Sequence, residues 1–473
     1  MSEQLIARLD LSSATLTALA TSRNSQRVAY AVKAKEKMLV YVDGKEEKPY
    51  DAIIGEPIFS PDSKHVAYVA QVGSKNLVVI DGQDGKLYDG IAAPSLVFSP
   101  DSQHVSYAAK HGSSVLVVVD ENEDQAYDGI REGTLMFSPD SQHVAYGAQQ
   151  GDRVFVVVDA NEGKGYDDIG AGSLSFSPNS LRVSYVANIG AKQLVVIDNK
   201  EEKQYDGIMA GTLIFSSDSR RTAYIARVGQ KQFVVVDGKE SKQYDGTALG
   251  PPIFSSDSNH VAYGAQLGNK WFVVIDDNEE KQWDGVDNII FSPDNQYVAY
   301  SAKSGGKNLV VIDGQEGKLF NGIAAPSLIF SPDSKRVAYM ARIRKLFGEK
   351  RFVVIDGKEE KQYDDVGDHI FSPNNQKLAY RARLGKKTSV VVNGKEGKFY
   401  DGTGIPAFSP DSQHVVYGAQ EGNSAFVVVD GKEGKSYDGV LRKENESGIF
   451  FSNNHFCYLA MMGIDIYLVE ESV

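Results

Sequence analysis

Two stretches of this 473-residue chain concentrate residue types that do chemistry. The first is Asp364-Asp365-Val366-Gly367-Asp368-His369, where three carboxylates precede an imidazole. Oxygen and nitrogen donors of this kind bind divalent ions. Their spacing matches no ligand motif, so no metal site is expected, and Asp365, Asp368 and His369 are the residues that would form one. The second is Arg342-Ile343-Arg344-Lys345-Leu346-Phe347-Gly348-Glu349-Lys350-Arg351. Five basic residues around Leu346 and Phe347 suit the capture of an acidic partner. Arg342, Arg344, Lys345, Phe347, Lys350 and Arg351 are therefore the candidate partner-binding residues. The plainer reading is an insertion that a loop tolerates.

Other chemistry-bearing residues are repetitive. His65, His104, His143, His260, His414 and His455 fall in one slot, filled elsewhere by Arg27, Arg182, Arg221, Arg336 or Lys377, with Tyr297 the exception. Arginine does not ligate metals, so the interchange predicts a basic hydrogen-bond donor beside a Pro-Asp turn. The run Asp120-Glu121-Asn122-Glu123-Asp124 lacks the register and bidentate Glu of a calcium loop and reads as a charged hairpin. No Gly-x-Ser-x-Gly elbow, phosphate-binding loop, dinucleotide fingerprint or His-Glu-x-x-His occurs. Trp271 and Trp283 replace Phe or Tyr and are expected in the core. Catalysis is not expected. The alternative is a lyase or hydrolase with scattered residues at a channel mouth near Asp368 and His369, where Glu56 and Asn288 are further polar groups.

The elements that position these residues come from one phrase, Phe59-Ser60-Pro61-Asp62-Ser63-Lys64-His65-Val66-Ala67-Tyr68, which returns about every 39 residues. Its aromatic recurs as Phe98, Phe137, Phe176, Phe215, Phe254, Phe291, Phe330, Phe371, Phe408 and Phe451, and a degenerate copy at Thr21 makes twelve. In one unit, Leu96-Val97-Phe98 is a short apolar strand stopped by a Ser-Pro-Asp-Ser turn. His104 to Ala109 and Val115 to Val119 are two further strands, and Gln125-Ala126-Tyr127 is the fourth. Strands one and three are apolar at consecutive positions, which predicts burial on both faces. Four antiparallel strands per unit, stacked against copies of themselves, predict an all-β fold of about twelve β-propeller blades.

The phrase resembles the WD40-like repeat of the TolB type, also seen in propellers of prolyl-oligopeptidase and tricorn-type peptidases. That family usually has Gly after the Asp, where this chain has Ser, or Asn at 295 and 375. The resemblance implies a propeller, and for function only the range such propellers serve: peptide binding, assembly and gating of enzymes. Twelve units exceed the usual four to eight blades. TolB-type propellers commonly have six, and Lys75 to Ser102 matches Lys307 to Ser334 at 24 of 28 positions, a shift of six units. Two six-bladed rings, 1–249 and 250–473, are favoured, with Pro251-Pro252 between them. The alternative is one twelve-bladed ring, the last unit lacking a fourth strand that Leu5 to Leu11 would supply.

Lys+Arg 50 against Asp+Glu 63 gives −13, too acidic for a general nucleic-acid binder. One cysteine, Cys457, suits a reducing compartment. No signal peptide or membrane-spanning stretch is visible, so a cytoplasmic location is expected. Second-to-third loop cations such as Lys75, Lys192, Arg227, Lys231, Lys270, Lys303, Lys307, Arg383, Lys386 and Lys387 interleave with the Asp of each Tyr-Asp-Gly, predicting a self-neutralising surface. The sequence points to a non-catalytic scaffold for an unidentified protein or peptide, without cofactor, nucleic acid or membrane. A purely structural assembly role is the remaining alternative.

Overall fold

The computed structural model describes residues 1–9, 14–247, 250–346, 348–441, 447–452 and 455–472. They form twelve antiparallel sheets, and the fold is an all-β propeller. Blades are numbered along the chain, so that Phe59 lies in blade two, Phe291 in blade eight and Phe451 in blade twelve. Contacts gather the chain into two units. One comprises Met1–Gln204 with Asp438–Glu444 and His455–Ser472, and the other is built on Tyr205–Tyr437.

Within a blade, burial is deepest in the second and third strands. Val66, Ala67, Tyr68, Val69 and Ala70 are all at most 1% exposed, and Leu77, Val78 and Val79 at most 3%. Consecutive burial means that both faces are covered, and the neighbours' copies cover them. Ala67, Val69 and Val78 of blade two pack with Tyr107, Ala109 and Val118 of blade three in one cluster. Between blades, the fourth-strand tyrosine meets the next blade's second-strand tyrosine edge-to-face, as in Tyr88–Tyr107, with centroids 6.1 Å apart. Such a pair adds about 0.5–1.5 kcal/mol beyond its buried area. Burial is the first cause that pushes the Tyr107 hydroxyl up to about 12.

The first strand holds the expected short piece and a second one before it. In blade three it is two short pieces, Gly90–Ile91 and Val97–Phe98, both paired with Val105–His111. The chain between them is stapled by Ser95, whose hydroxyl donates to the Ala92 carbonyl at 2.6 Å and accepts from the Ala108 amide at 2.8 Å. Thr134, Ser173, Thr212 and Ser327 do the same in blades four, five, six and nine. Blades two, eight and ten instead carry a bulge, and Glu56, Asn288 and Asp368 fall within these breaks in register.

The recurring turn explains its own residues. Ser60 donates to Asp62 at 2.6 Å and accepts the His65 amide at 2.9 Å, while Asp62 accepts the Lys64 amide at 3.0 Å. The Ser60 hydroxyl, followed by the Lys64 amide, holds the Asp62 carboxyl well below the usual range. Ser63, where glycine is usual, sits at φ 68, a left-handed conformation that costs a side-chain-bearing residue energy. Its hydroxyl offsets that cost by reaching across blades to accept the Asn24 amide at 3.2 Å. Likewise the Asp62 amide donates to Ser102 and the Asp101 amide to Ser141, both at 2.9 Å. Asn295 and Asn375 accept in the same way through their amide oxygens. Glycine would satisfy the backbone but leave those amides without this partner.

The basic slot is equally regular. His65, His104, His143, His260 and His414 bond a carboxylate at the end of the third strand through Nδ1, at 2.6–2.7 Å. Arg27, Arg182, Arg221 and Arg336 place Nε against the equivalent carboxylate at 2.7–3.0 Å. The slot side chain also covers the next blade's phenylalanine. Arg221 lies 5.1 Å from the Phe254 centroid and Arg336 5.3 Å from that of Phe371, and the His104 ring stacks on Phe137.

The N-terminal strand Ser2–Arg8 pairs antiparallel with Asp465–Ser472 and completes blade twelve. It begins earlier than the expected Leu5 to Leu11, whose end lies outside the described residues. Arg8 and Asp465 close the pairing with a 2.7 Å ion pair.

Candidate functional site

The basic insertion of blade nine is not a loose loop. It lengthens the hairpin: the second strand runs Val337–Lys345 and the third Gly348–Ile355, nine and eight residues against seven and six in blade eight. Ladder pairing sets Arg342 opposite Arg351, a like-charge pair that would repel. Glu349 relieves it by bonding both, at 3.1 Å to Arg342 and 3.4 Å to Arg351. Arg351 also pairs with Asp365 at 2.7 Å, and Lys350 with Asp364 at 2.6 Å. Three of the six candidate residues are thus neutralised within the protein.

Arg344 and Lys345 differ. Both are exposed at the hairpin tip, and among the described residues neither forms an ion pair. Leu346 beside them is 90% exposed. Phe347 lies outside the described residues. A substitution deepens the contrast. In other blades the aspartate after the fourth-strand aromatic caps the next blade's second-to-third loop and pairs with a cation of its own blade, as Asp89 does with the Gly112 amide at 2.7 Å and with Lys75 at 3.1 Å. At the junction of blades eight and nine that residue is Asn321, which accepts the Arg344 amide at 2.9 Å but brings no charge. Lys307, in the register of Lys75, has no ion pair among the described residues. Arg344, Lys345 and Leu346 therefore form a basic tip with an apolar member, and Lys307 on the preceding blade is likewise without a carboxylate among the described residues. Asn321 was the available signal in the sequence, since it is one of four differences in the 28-residue match.

Several other loop cations are answered internally, as Lys231 is by Asp245 at 2.6 Å, Lys270 by Asp284 at 2.7 Å and Lys387 by Asp401 at 3.6 Å.

Asp365, Asp368 and His369 share a strand but not a site. Asp365 faces Arg351 and Arg383, and Asp368 pairs with Arg381. The His369 ring nitrogens are shielded and lack a hydrogen-bond partner. Burial lowers the imidazole below its ordinary range, opposed by nearby backbone of Ser327 and Ala338 and by Asp368. No group of three His, Cys, Asp or Glu side chains able to hold a metal occurs among the described residues. Trp283 is 4% exposed and bridges the Trp271 backbone.

A second feature lies at the other end of blade nine's second strand. Between blades eight and nine a groove of about 680 Å³ opens beside Tyr297, Asp313, Phe330, Ser334, Lys335 and Val337. It sits where the basic slot residue is replaced by Tyr297, which is 43% exposed. The substitution is plain in the sequence, but its consequence depends on residues 16 to 38 positions onward.

No family model matches the chain, and none of the curated proteins matches it. Solved structures similar to it include a eukaryotic initiation factor, at 13% identity and TM-score 0.35 over 79% of this chain and 96% of that one. TolB from Acinetobacter baumannii matches at 14% identity and TM-score 0.24, over 56% of this chain and 78% of that one. The Swd1 β-propeller domain of Myceliophteria thermophila matches at 10% identity and TM-score 0.24, over 56% and 96%. Likeness at this level carries no functional argument. Among the described residues no helix is long and apolar enough to cross a membrane.

Proposed function

We propose that this chain is a non-catalytic scaffold, TolB-like in its blades, that binds a protein or peptide through the blade-nine hairpin tip. The observation that carries the reading is the pair Arg344 and Lys345, adjacent and unneutralised beside exposed Leu346, on a surface where several other loop cations are matched by acids. Charges left unmatched steer an oppositely charged partner, and an exposed apolar residue among them supplies area to bury. The partner is thus an acidic protein segment. The reading places the protein in the cytoplasm and requires no cofactor, nucleic acid or membrane.

The test is retention of partners by immobilised protein. Wild type is compared with Arg344→Glu/Lys345→Glu and with Lys432→Glu, a charge change on the blade-eleven hairpin. Binders of the tip are expected on wild type and Lys432→Glu, absent from the double variant, and released as salt rises. Identical binding by all three removes the tip from the reading.

A further inference from the structure

The groove beside Tyr297 is best understood through the blades that lack one. In blade six, Arg221 meets four residues at once. Its Nε bonds Asp237 at 3.0 Å, its guanidinium lies 5.1 Å from the Phe254 centroid, and its NH1 donates to the Ser258 and Asn259 carbonyls at 3.1 and 2.8 Å. The receptor for a guanidinium is therefore built from two blades: a carboxylate from one, and an aromatic face and two turn carbonyls from the next. Arg27 and Arg336 use the same partners. His260 uses only the carboxylate and the ring, and Lys377 donates to the turn carbonyl of Gln413.

Blade eight keeps the receptor without the cation. The matching carboxylate residue is Asp313, the ring is that of Phe330, and the turn residues are Ser334 and Lys335, all of which line the groove. Tyr297 supplies no positive charge. Elsewhere the carboxylate also accepts the first amide of the second strand, as Asp276 does from Val261 at 2.9 Å. Asp313 accepts no such bond and forms no ion pair among the described residues. The other acids on the wall are already engaged: Asp356 by Arg336, Glu316 by Lys281, and Asp294 and Asp333 by their own turns. Lys335 is the basic residue on the wall, and it makes no ion pair among the described residues.

We propose that the groove between blades eight and nine is an arginine socket, filled by a side chain that a partner protein displays. Arginine fits better than lysine because only a planar fork can reach carboxylate, ring face and carbonyls together. At about 680 Å³ the groove exceeds a guanidinium, leaving space for the chain that carries it. The assignment is independent of the hairpin tip, which lies eight residues along the strand from Val337, roughly 26 Å at the usual rise.

Ligand-observed NMR at low salt tests it with the peptide acetyl-Gly-Gly-Arg-Gly-Gly-amide and counterparts carrying lysine or citrulline. Wild type should bind the arginine peptide, and the citrulline peptide at least tenfold more weakly, with lysine between. Tyr297→Arg fills the slot from within and should weaken binding at least tenfold. Asp313→Asn should do the same. Both variants copy arrangements the fold already holds, at Arg336 and at Asn393, so both should melt as a single folded species near wild type. Arg344→Glu/Lys345→Glu should bind the peptide as wild type does, which separates this socket from the tip. No binding by wild type, equal binding by Tyr297→Arg or Asp313→Asn, or no preference over citrulline or lysine would each overturn the assignment.

Discussion

Blades seven and eight share a Ser-x-Asp turn, a hairpin of seven- and six-residue strands and a phenylalanine from the next blade beneath the slot, yet one covers its groove and the other leaves it open. In blade seven, His260 bonds Asp276 at 2.6 Å and its ring lies 6.5 Å from Phe291. In blade eight, Tyr297 does neither, and Asp313 and Phe330 face an open groove. A repeat protein satisfies its surface with internal ligands, one per blade. Losing one such ligand turns a structural contact into a vacancy of known chemistry, without any new catalytic or binding motif.

Acid gives the largest expected effect and should spare the contrast. Asp257 and Asp294, in the turns of blades seven and eight, are both held below the usual carboxylate range, first by the hydroxyls of Ser255 and Ser292. A depressed folded value means that the stabilisation is complete above the unfolded value near 3.9 and is lost as pH falls toward the folded one. The melting temperature should hold from pH 7 to 5 and drop below about pH 4, equally in wild type and Tyr297→Arg. Phe330→Ala should break the comparison by removing the floor of the groove. Scanning calorimetry should show a loss of about 3 kcal/mol, the low end for a phenylalanine because this one is half-buried, together with loss of arginine-peptide binding.

Ser102→Ala removes the hydroxyl that accepts the Asp101 amide's equivalent in blade two, Asp62, and keeps the unfavourable φ. Urea unfolding should register about 1 kcal/mol of destabilisation. Ser102→Gly should lose less, since glycine relieves the backbone. His260→Tyr is the sharpest reciprocal change: it copies blade eight into blade seven. It should cost about 1 kcal/mol, as loss of one exposed hydrogen bond does, and raise the peptide stoichiometry from one to two.

The blades were legible because the 39-residue period, the Pro-Asp turns and the consecutive apolar strands are local signals. Interchange of His65 and its copies with arginine also gave the right chemistry, a donor beside the turn. Its carboxylate partner could not be read, since Asp81 lies 16 residues on and pairs across the sheet. Serine in place of glycine at Ser63 was visible, but its reason lies 39 residues away at Asn24, in the neighbouring blade. The short strand at Leu96-Val97-Phe98 was legible, but its separate outer piece, Gly90–Ile91, was not, because two residues carry no pattern and the Ser95 staple leaves no periodic trace. At the tip, composition found the five basic residues, while only pairing distinguishes Arg344 and Lys345 from the three held by acids.

The pairing of Ser2–Arg8 with Asp465–Ser472 has a consequence for biosynthesis. At about 5–20 residues per second, the first strand leaves the ribosome tens of seconds before its partner exists. It waits as an unpaired edge while the intervening blades form by local hairpins. Joining ends so far apart costs roughly 3 kcal/mol more loop entropy than closing a ten-residue hairpin, unless the blades between have already ordered the path. Blade twelve is therefore the last that can be completed, since Asp465–Ser472 is the last strand made, and a nascent chain stalled before Asp465 would expose that edge to other chains.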